Sequence, residues 1–149
     1  MASIKRRGVA AGGVVAGMML IASGAILARL VDLPGLVAGI EGHTPDLVTP
    51  LLVRIGVGFA LVWVYVGFRP RFGAGSRAVA GATGVVWVAH SAALASVAAL
   101  FPILSPLTVA LIVVWSLIEL TMACVAGAAV YRRHVAATTR KRGRGVAHS

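Results

Sequence analysis

The chain is 149 residues long, 59% of them hydrophobic and only 12% charged, with a mean hydropathy of +0.95. That balance excludes an ordinary water-soluble domain, and the length holds roughly four membrane crossings of about 20 residues each, with no room for a second, soluble domain. A formal net charge of +10 would suggest nucleic acid in a soluble chain, but here it has a simpler use at a membrane surface, and the single Cys124 excludes an internal disulfide or a multi-cysteine metal site.

Lys5, Arg6 and Arg7 lead into a first apolar run at 8–30. Within it Gly8/Gly12 and Gly13/Gly17 each satisfy G-x-x-x-G, the spacing that lets two helix backbones approach closely, for packing inside a bundle or as a dimer face. Ser23-Gly24-Ala25 has the small residues of a signal-peptide cleavage site. The run is longer than the usual signal core of about 7–15 residues, so this helix is expected to be retained. The stretch "DLPGLVAGIEGHTPDLVTP" that follows is broken by prolines and glycines and is expected to be irregular or a short interfacial helix. His43 has no second histidine or cysteine nearby, so no metal site is expected there.

A second run covers 50–68. Arg54 lies close enough to its start for the side chain to snorkel outward or to reach Asp46 or Glu41, and Arg29 and Asp32 are spaced to pair at the end of the first helix. All of these read as anchors rather than catalytic groups. Next comes "RPRFGAGSR", where Pro70 is expected to stop the helix and Gly73 and Gly75 to permit a reversal. Gly73 to Ala78 matches G-x-G-x-x-A, but the dinucleotide fingerprint needs a preceding strand, and a P-loop would need Gly-Lys-Ser/Thr. Arg69, Arg71 and Arg77 are instead expected to contact anionic lipid head groups, at about 1 kcal/mol each.

The third run, 78–101, carries His90; the fourth, 107–131, carries Glu119; the uncharged turn "PILSP" joins them. Counted at 1.5 Å per residue from that turn, both residues sit about 17 Å deep, near a bilayer midplane, and should face one another across adjacent antiparallel helices. An ionisable residue at that depth is costly and marks a functional site by default. Such a pair would relay protons or grip a polar or cationic ligand, or else form a neutral hydrogen-bonded lock that fixes the register of the two helices. Thr83, Trp87, Ser91, Trp115, Ser116 and Thr121 surround it as a small polar pocket, although Ser and Thr in such helices commonly bond their own preceding carbonyls. Cys124 reads as a small core residue. Arg132 and Arg133 open a basic tail at 132–149 that lacks apolar periodicity and is expected to be disordered.

Of the 14 basic residues, 12 fall before the first run, between the second and third, or after the fourth; the other side has Arg29 and Arg54 with three of the four acids. By the positive-inside rule both termini and the "RPRFGAGSR" loop are cytoplasmic. Backbone amides in lipid must be satisfied within each segment, and the alternating strands of a barrel are absent. The expected fold is therefore all-α: one domain at 1–131, a four-helix antiparallel transmembrane bundle in a bacterial cytoplasmic membrane.

At "RRGVAAGGVVAG" and "VYVGFRPRFGAGSRAVAGATGVVWV" the chain resembles a group of small bacterial four-helix membrane proteins of uncharacterised activity. In that group a basic start leads into a Gly-rich first helix, and the second helix ends in Tyr-x3-Arg-Pro-Arg-Phe-Gly-x-Gly, here Tyr65, Arg69, Pro70, Arg71, Phe72, Gly73 and Gly75. The resemblance implies a bacterial membrane protein with an uncleaved first helix. "LLVRIGVGFALVWV" is similar to the opening segment of the DoxX-like proteins, which implies a quinone-associated redox role; here it is the second helix and no cofactor ligand set follows.

These residues point first to a non-enzymatic membrane protein that associates with itself or with other membrane proteins, in contact with anionic head groups and without a cofactor. The second reading is a small oligomeric proton-coupled carrier with His90 and Glu119 as its midplane site. An enzyme comes third, because no nucleophile, base and orienting group form a recognisable set.

Overall fold

A computed structural model describes residues 2–30, 48–100 and 105–146; the expected outer loop with Asp32, Glu41, His43 and Asp46, and most of the PILSP turn, lie outside the described residues. Four helices follow in order: α1, Ala2–Leu30; α2, Val48–Phe72; α3, Ser76–Leu100; and α4, Pro106–Val146. Each holds a stretch long and apolar enough to cross a membrane, so the all-α, four-helix class is as expected.

Their ends differ from the expectation at two places. α2 runs through Pro70 to Phe72 instead of stopping before it. The helix continues only two residues further, so the missing proline N–H costs a single hydrogen bond in a turn that is about to end. The reversal comes at Gly73, whose φ of 73° suits a residue without a side chain, and whose N–H donates to the Arg69 carbonyl at 3.0 Å. At the other end, the tail expected to be disordered continues α4 as far as Val146. Its alanines and arginines are strong helix formers and no proline interrupts it. The Thr138 and Thr139 hydroxyls bond back to the His134 and Val135 carbonyls at 2.6 and 2.9 Å. α4 begins on a side-chain cap: the Ser105 hydroxyl accepts the Thr108 N–H at 3.1 Å, and Pro106 occupies the first helical position, where its missing N–H is harmless.

α1 packs against α2 and α4; α3 packs against α2 and α4; α1 and α3 lie on opposite corners, while α2 and α4 meet across the short diagonal. Consecutive helices run antiparallel, as do α1 and α4, and α2 and α4 therefore run parallel. Glycines set the closeness of these contacts. A Cβ on Gly12 would lie 2.6 Å from the Gly127 carbonyl oxygen, and one on Gly127 would lie 2.8 Å from that of Gly12, so α1 and α4 touch backbone to backbone. A Cβ on Gly13 would strike Phe59 at 2.7 Å, and one on Gly17 would strike Ile55 at 2.9 Å, which brings α2 equally close. Gly8 meets the Tyr131 ring. All four glycines singled out from the sequence are thus buried inside the bundle.

Burial is unequal along the bundle. Tyr65, Tyr131, Leu61, Val62 and Cys124 are its largest fully buried side chains, all in the half that carries the arginine-rich ends. Among the described residues, none before Gly58 in α2, after Val86 in α3, or before Ser116 in α4 is buried. Large apolar side chains such as Met18, Trp63, Val88, Leu111 and Ile118 face outward.

The basic end is held by the motif that α2 carries into its turn. Tyr65 Oη donates to the Ala74 carbonyl at 3.2 Å, and Arg132 Nη1 donates to the same oxygen at 2.9 Å. The Tyr65 and Tyr131 rings meet edge to face, 6.4 Å between centroids, and the Arg69 guanidinium lies 5.7 Å from the Tyr131 centroid. Two of the five arginines expected to contact head groups, Arg69 and Arg132, therefore have partners within the chain. Arg71, Arg77 and Arg133 are exposed at the same end.

Candidate functional site: a charged cavity between four helices

The polar residues converge where the tightly packed half gives way to the looser one. Arg54 lies about 9 Å along α2 from Val48, Glu119 about 20 Å along α4 from Pro106, and His90 about 15 Å along α3 from Leu100, at 1.5 Å per residue. Arg54 Nη1 donates to Glu119 Oε1 at 2.6 Å, a charge-assisted pair that joins α2 to α4 across the short diagonal. The same nitrogen donates to the Leu20 carbonyl of α1. Glu119 is 8% exposed and the Arg54 side chain 34%, so the carboxylate is the deeply held member.

Small residues make room for this arrangement. A side chain on Gly24 would collide with the Arg54 guanidinium, so α1 presents bare backbone to the cation. Ser23 stands beside Glu119, and its hydroxyl accepts Trp115 Nε1–H at 3.2 Å. His90 lines the same cavity as Arg54, Ser116 and Glu119; Leu20, Pro50, Val53, Val57 and Leu120 complete the walls, around a volume of about 180 Å³. Pro50 and Val53 are exposed and form its rim on the side away from the arginine-rich ends.

The structure thus brings His90 and Glu119 to one cavity, while giving the carboxylate to Arg54. Arg54 was expected to snorkel outward or to meet Asp46 or Glu41, both of which lie outside the described residues; instead it turns inward. The reason is geometric: among the described residues Arg54 is the charged residue of α2 at the level of Glu119, and parallel helices meeting on the diagonal bring the two within reach. A signal for this existed in the sequence, since Glu119 is the one acid far from the 32–46 stretch and Arg54 is a base within the first turns of an apolar run. Opposite charges in lipid seek each other.

The remaining polar residues divide. Trp87 Nε1–H and the Ser116 hydroxyl both donate to the Val113 carbonyl, at 3.0 and 2.8 Å. Thr121 bonds the Leu117 carbonyl one turn back at 2.7 Å and faces outward. Thr83 and Ser91 have buried hydroxyls without a hydrogen-bond partner among the described residues. The Cys124 thiol lies buried against the Val79 carbonyl of α3, at 4.0 Å. Among the described residues no three of His, Cys, Asp and Glu converge to hold a metal ion. Comparison with known proteins finds no matching family model, no matching curated protein and no matching solved structure.

Proposed function

We propose that this chain is a multi-pass protein of a bacterial cytoplasmic membrane, with both termini inside, and that it works as a small proton-coupled carrier through the Arg54–Glu119–His90 cavity. What supports the membrane reading is the outward-facing apolar surface together with the clustering of Arg6, Arg7, Arg69, Arg71, Arg77, Arg132 and Arg133 at one end of the bundle. The carrier reading rests on one observation: an ion pair in an otherwise apolar bundle borders a cavity instead of being packed shut. Gly8, Gly12, Gly13 and Gly17 pack within the bundle, and association with other membrane proteins remains the alternative reading.

The carboxylate is the group that can gain and lose a proton while its partner stays charged, and His90 offers a second proton acceptor on the facing helix. The cavity rim at Pro50 and Val53 gives access from the outer side. The test uses vesicles of phosphatidylethanolamine and phosphatidylglycerol, reconstituted with the protein, loaded with a pH dye and placed in acidic buffer. Pyruvate, choline and glycerol are offered outside one at a time. One of them should accelerate internal acidification, and Glu119→Gln at equal protein content should abolish that acceleration. Absence of any solute-dependent proton entry would contradict the reading, and so would a Glu119→Gln variant that carries protons at the wild-type rate.

A further inference from the structure

The carrier reading leaves the solute open, and the geometry of Arg54 narrows it. A guanidinium presents five N–H donors in a planar fork. Among the described residues the two hydrogen bonds of Arg54 both leave from Nη1, one to Glu119 and one to the Leu20 carbonyl. Among the described residues no hydrogen bond leaves Nη2 or Nε, and Arg54, whose guanidinium lies against Gly24 of α1, is one of the residues that line the cavity. A guanidinium fork at the edge of a pocket, with donors that meet no acceptor among the described residues, suits a planar anion, which it can hold by two parallel hydrogen bonds.

We propose that the cavity binds a small monocarboxylate together with one proton, and this rests on the carrier reading above. The size follows from the volume. At about 30 Å³ for each water-sized group, 180 Å³ accommodates about six, enough for a carboxylate with a short hydrocarbon or keto stem. The apolar walls from Leu20, Pro50, Val53, Val57 and Leu120 suit that stem and offer nothing to a second charge. A cation would meet Arg54.

The proton follows from charge balance. The polar groups lining the cavity are Arg54 from α2, His90 from α3, and Ser116 and Glu119 from α4; α1 contributes Leu20, and its Ser23 and Gly24, beside Glu119 and Arg54, carry no charge. The ion pair of Arg54 and Glu119 sums to zero. An incoming carboxylate adds one negative charge to a low-dielectric site, at a cost that a single proton removes. Glu119 takes that proton from the same side and becomes a neutral acid, its grip on Arg54 weakens, and the guanidinium turns its fork to the arriving anion. The site is neutral before and after. Glu119 thereby acts as a resident carboxylate that the solute replaces.

Isothermal titration calorimetry of the purified, detergent-solubilised protein with pyruvate tests this, run in two buffers of different ionisation enthalpy so that protons taken up per anion bound can be counted. The count should be one, and the affinity should weaken about tenfold per unit of rising pH, as linkage to one proton requires. Glu119→Gln, which mimics the protonated acid, should still bind pyruvate, with a proton count of zero and no pH dependence. Arg54→Gln should lose affinity by at least about tenfold. Binding of choline in preference to pyruvate, or pyruvate binding with no proton uptake by the wild type, would overturn the proposal, as would an unaltered proton count in Glu119→Gln. Choline-driven or glycerol-driven proton entry in vesicles, without pyruvate binding, defeats the solute class and keeps the carrier; pyruvate binding with a proton but no flux defeats the carrier and keeps the site.

Discussion

Arg54 and Glu119 each need the other. Removing one partner of a buried pair leaves the second charge unsolvated, which costs more than removing both. Arg54→Gln is therefore expected to destabilise the bundle by about 1–3 kcal/mol, scaled down from the fully buried case because the arginine is partly exposed. The double variant Arg54→Gln/Glu119→Gln should recover at least half of that loss. Reversible unfolding in mixed micelles measures both, and equal losses in the single and double variants would mean that the pair makes no net contribution. The sequence marked Glu119 and His90 as out of place in lipid, and depth counted from the PILSP turn put them at one level. It could not assign the partner, because Arg54 lies on a helix that is adjacent to α4 only across the diagonal of the bundle. Counting along hairpins pairs α3 with α4 and α1 with α2; it is silent about α2 with α4.

At the scale of the helices, apolar runs located all four elements, and their ends were misplaced for local reasons. Pro70 lies inside α2 because a proline in a last turn sacrifices little, and the basic tail continues α4 on its alanines, lysine and arginines, which favour helix, despite Gly143 and Gly145. Glycine spacing in α1 announced close packing without saying against what; Gly58 and Gly127, the reciprocal glycines on α2 and α4, carry no G-x-x-x-G signature that would have named them. Their role is measurable. Gly12→Ala and Gly127→Ala each put a methyl group into the opposite backbone and should cost about 1–3 kcal/mol, whereas Gly56→Ala, with no atom within 4 Å of the new methyl, should change stability by less than about 0.5 kcal/mol. Thermal unfolding of the three variants in one detergent separates them, and equal midpoints for Gly12→Ala and Gly56→Ala would refute the backbone contact between α1 and α4.

For the molecule as a whole, tight packing and positive charge share one end, and the charged cavity lies towards the other. In the proposed membrane setting no hydrophobic effect would draw the helices together, so van der Waals contact at the small residues, the hydrogen bonds onto Ala74 and the ion pair would supply the cohesion. The Tyr65, Arg132 and Ala74 contacts fix the end with the arginines, which leaves the opposite half of α3 as the part least committed to its neighbours. In the proposed carrier, an alternating motion would accordingly pivot at the arginine-rich end and open at the rim formed by Pro50 and Val53. The most direct measurement of this arrangement is labelling of intact cells with a membrane-impermeant maleimide, using single cysteines at Pro50→Cys and Ser76→Cys in a Cys124→Ala background. Pro50→Cys should label from outside and lose most of its labelling when pyruvate is present in acidic medium, while Ser76→Cys labels only after the membrane is permeabilised. Labelling of Ser76→Cys in intact cells, with Pro50→Cys protected, would place the arginines outside and the cavity rim within, contrary to everything proposed for the site.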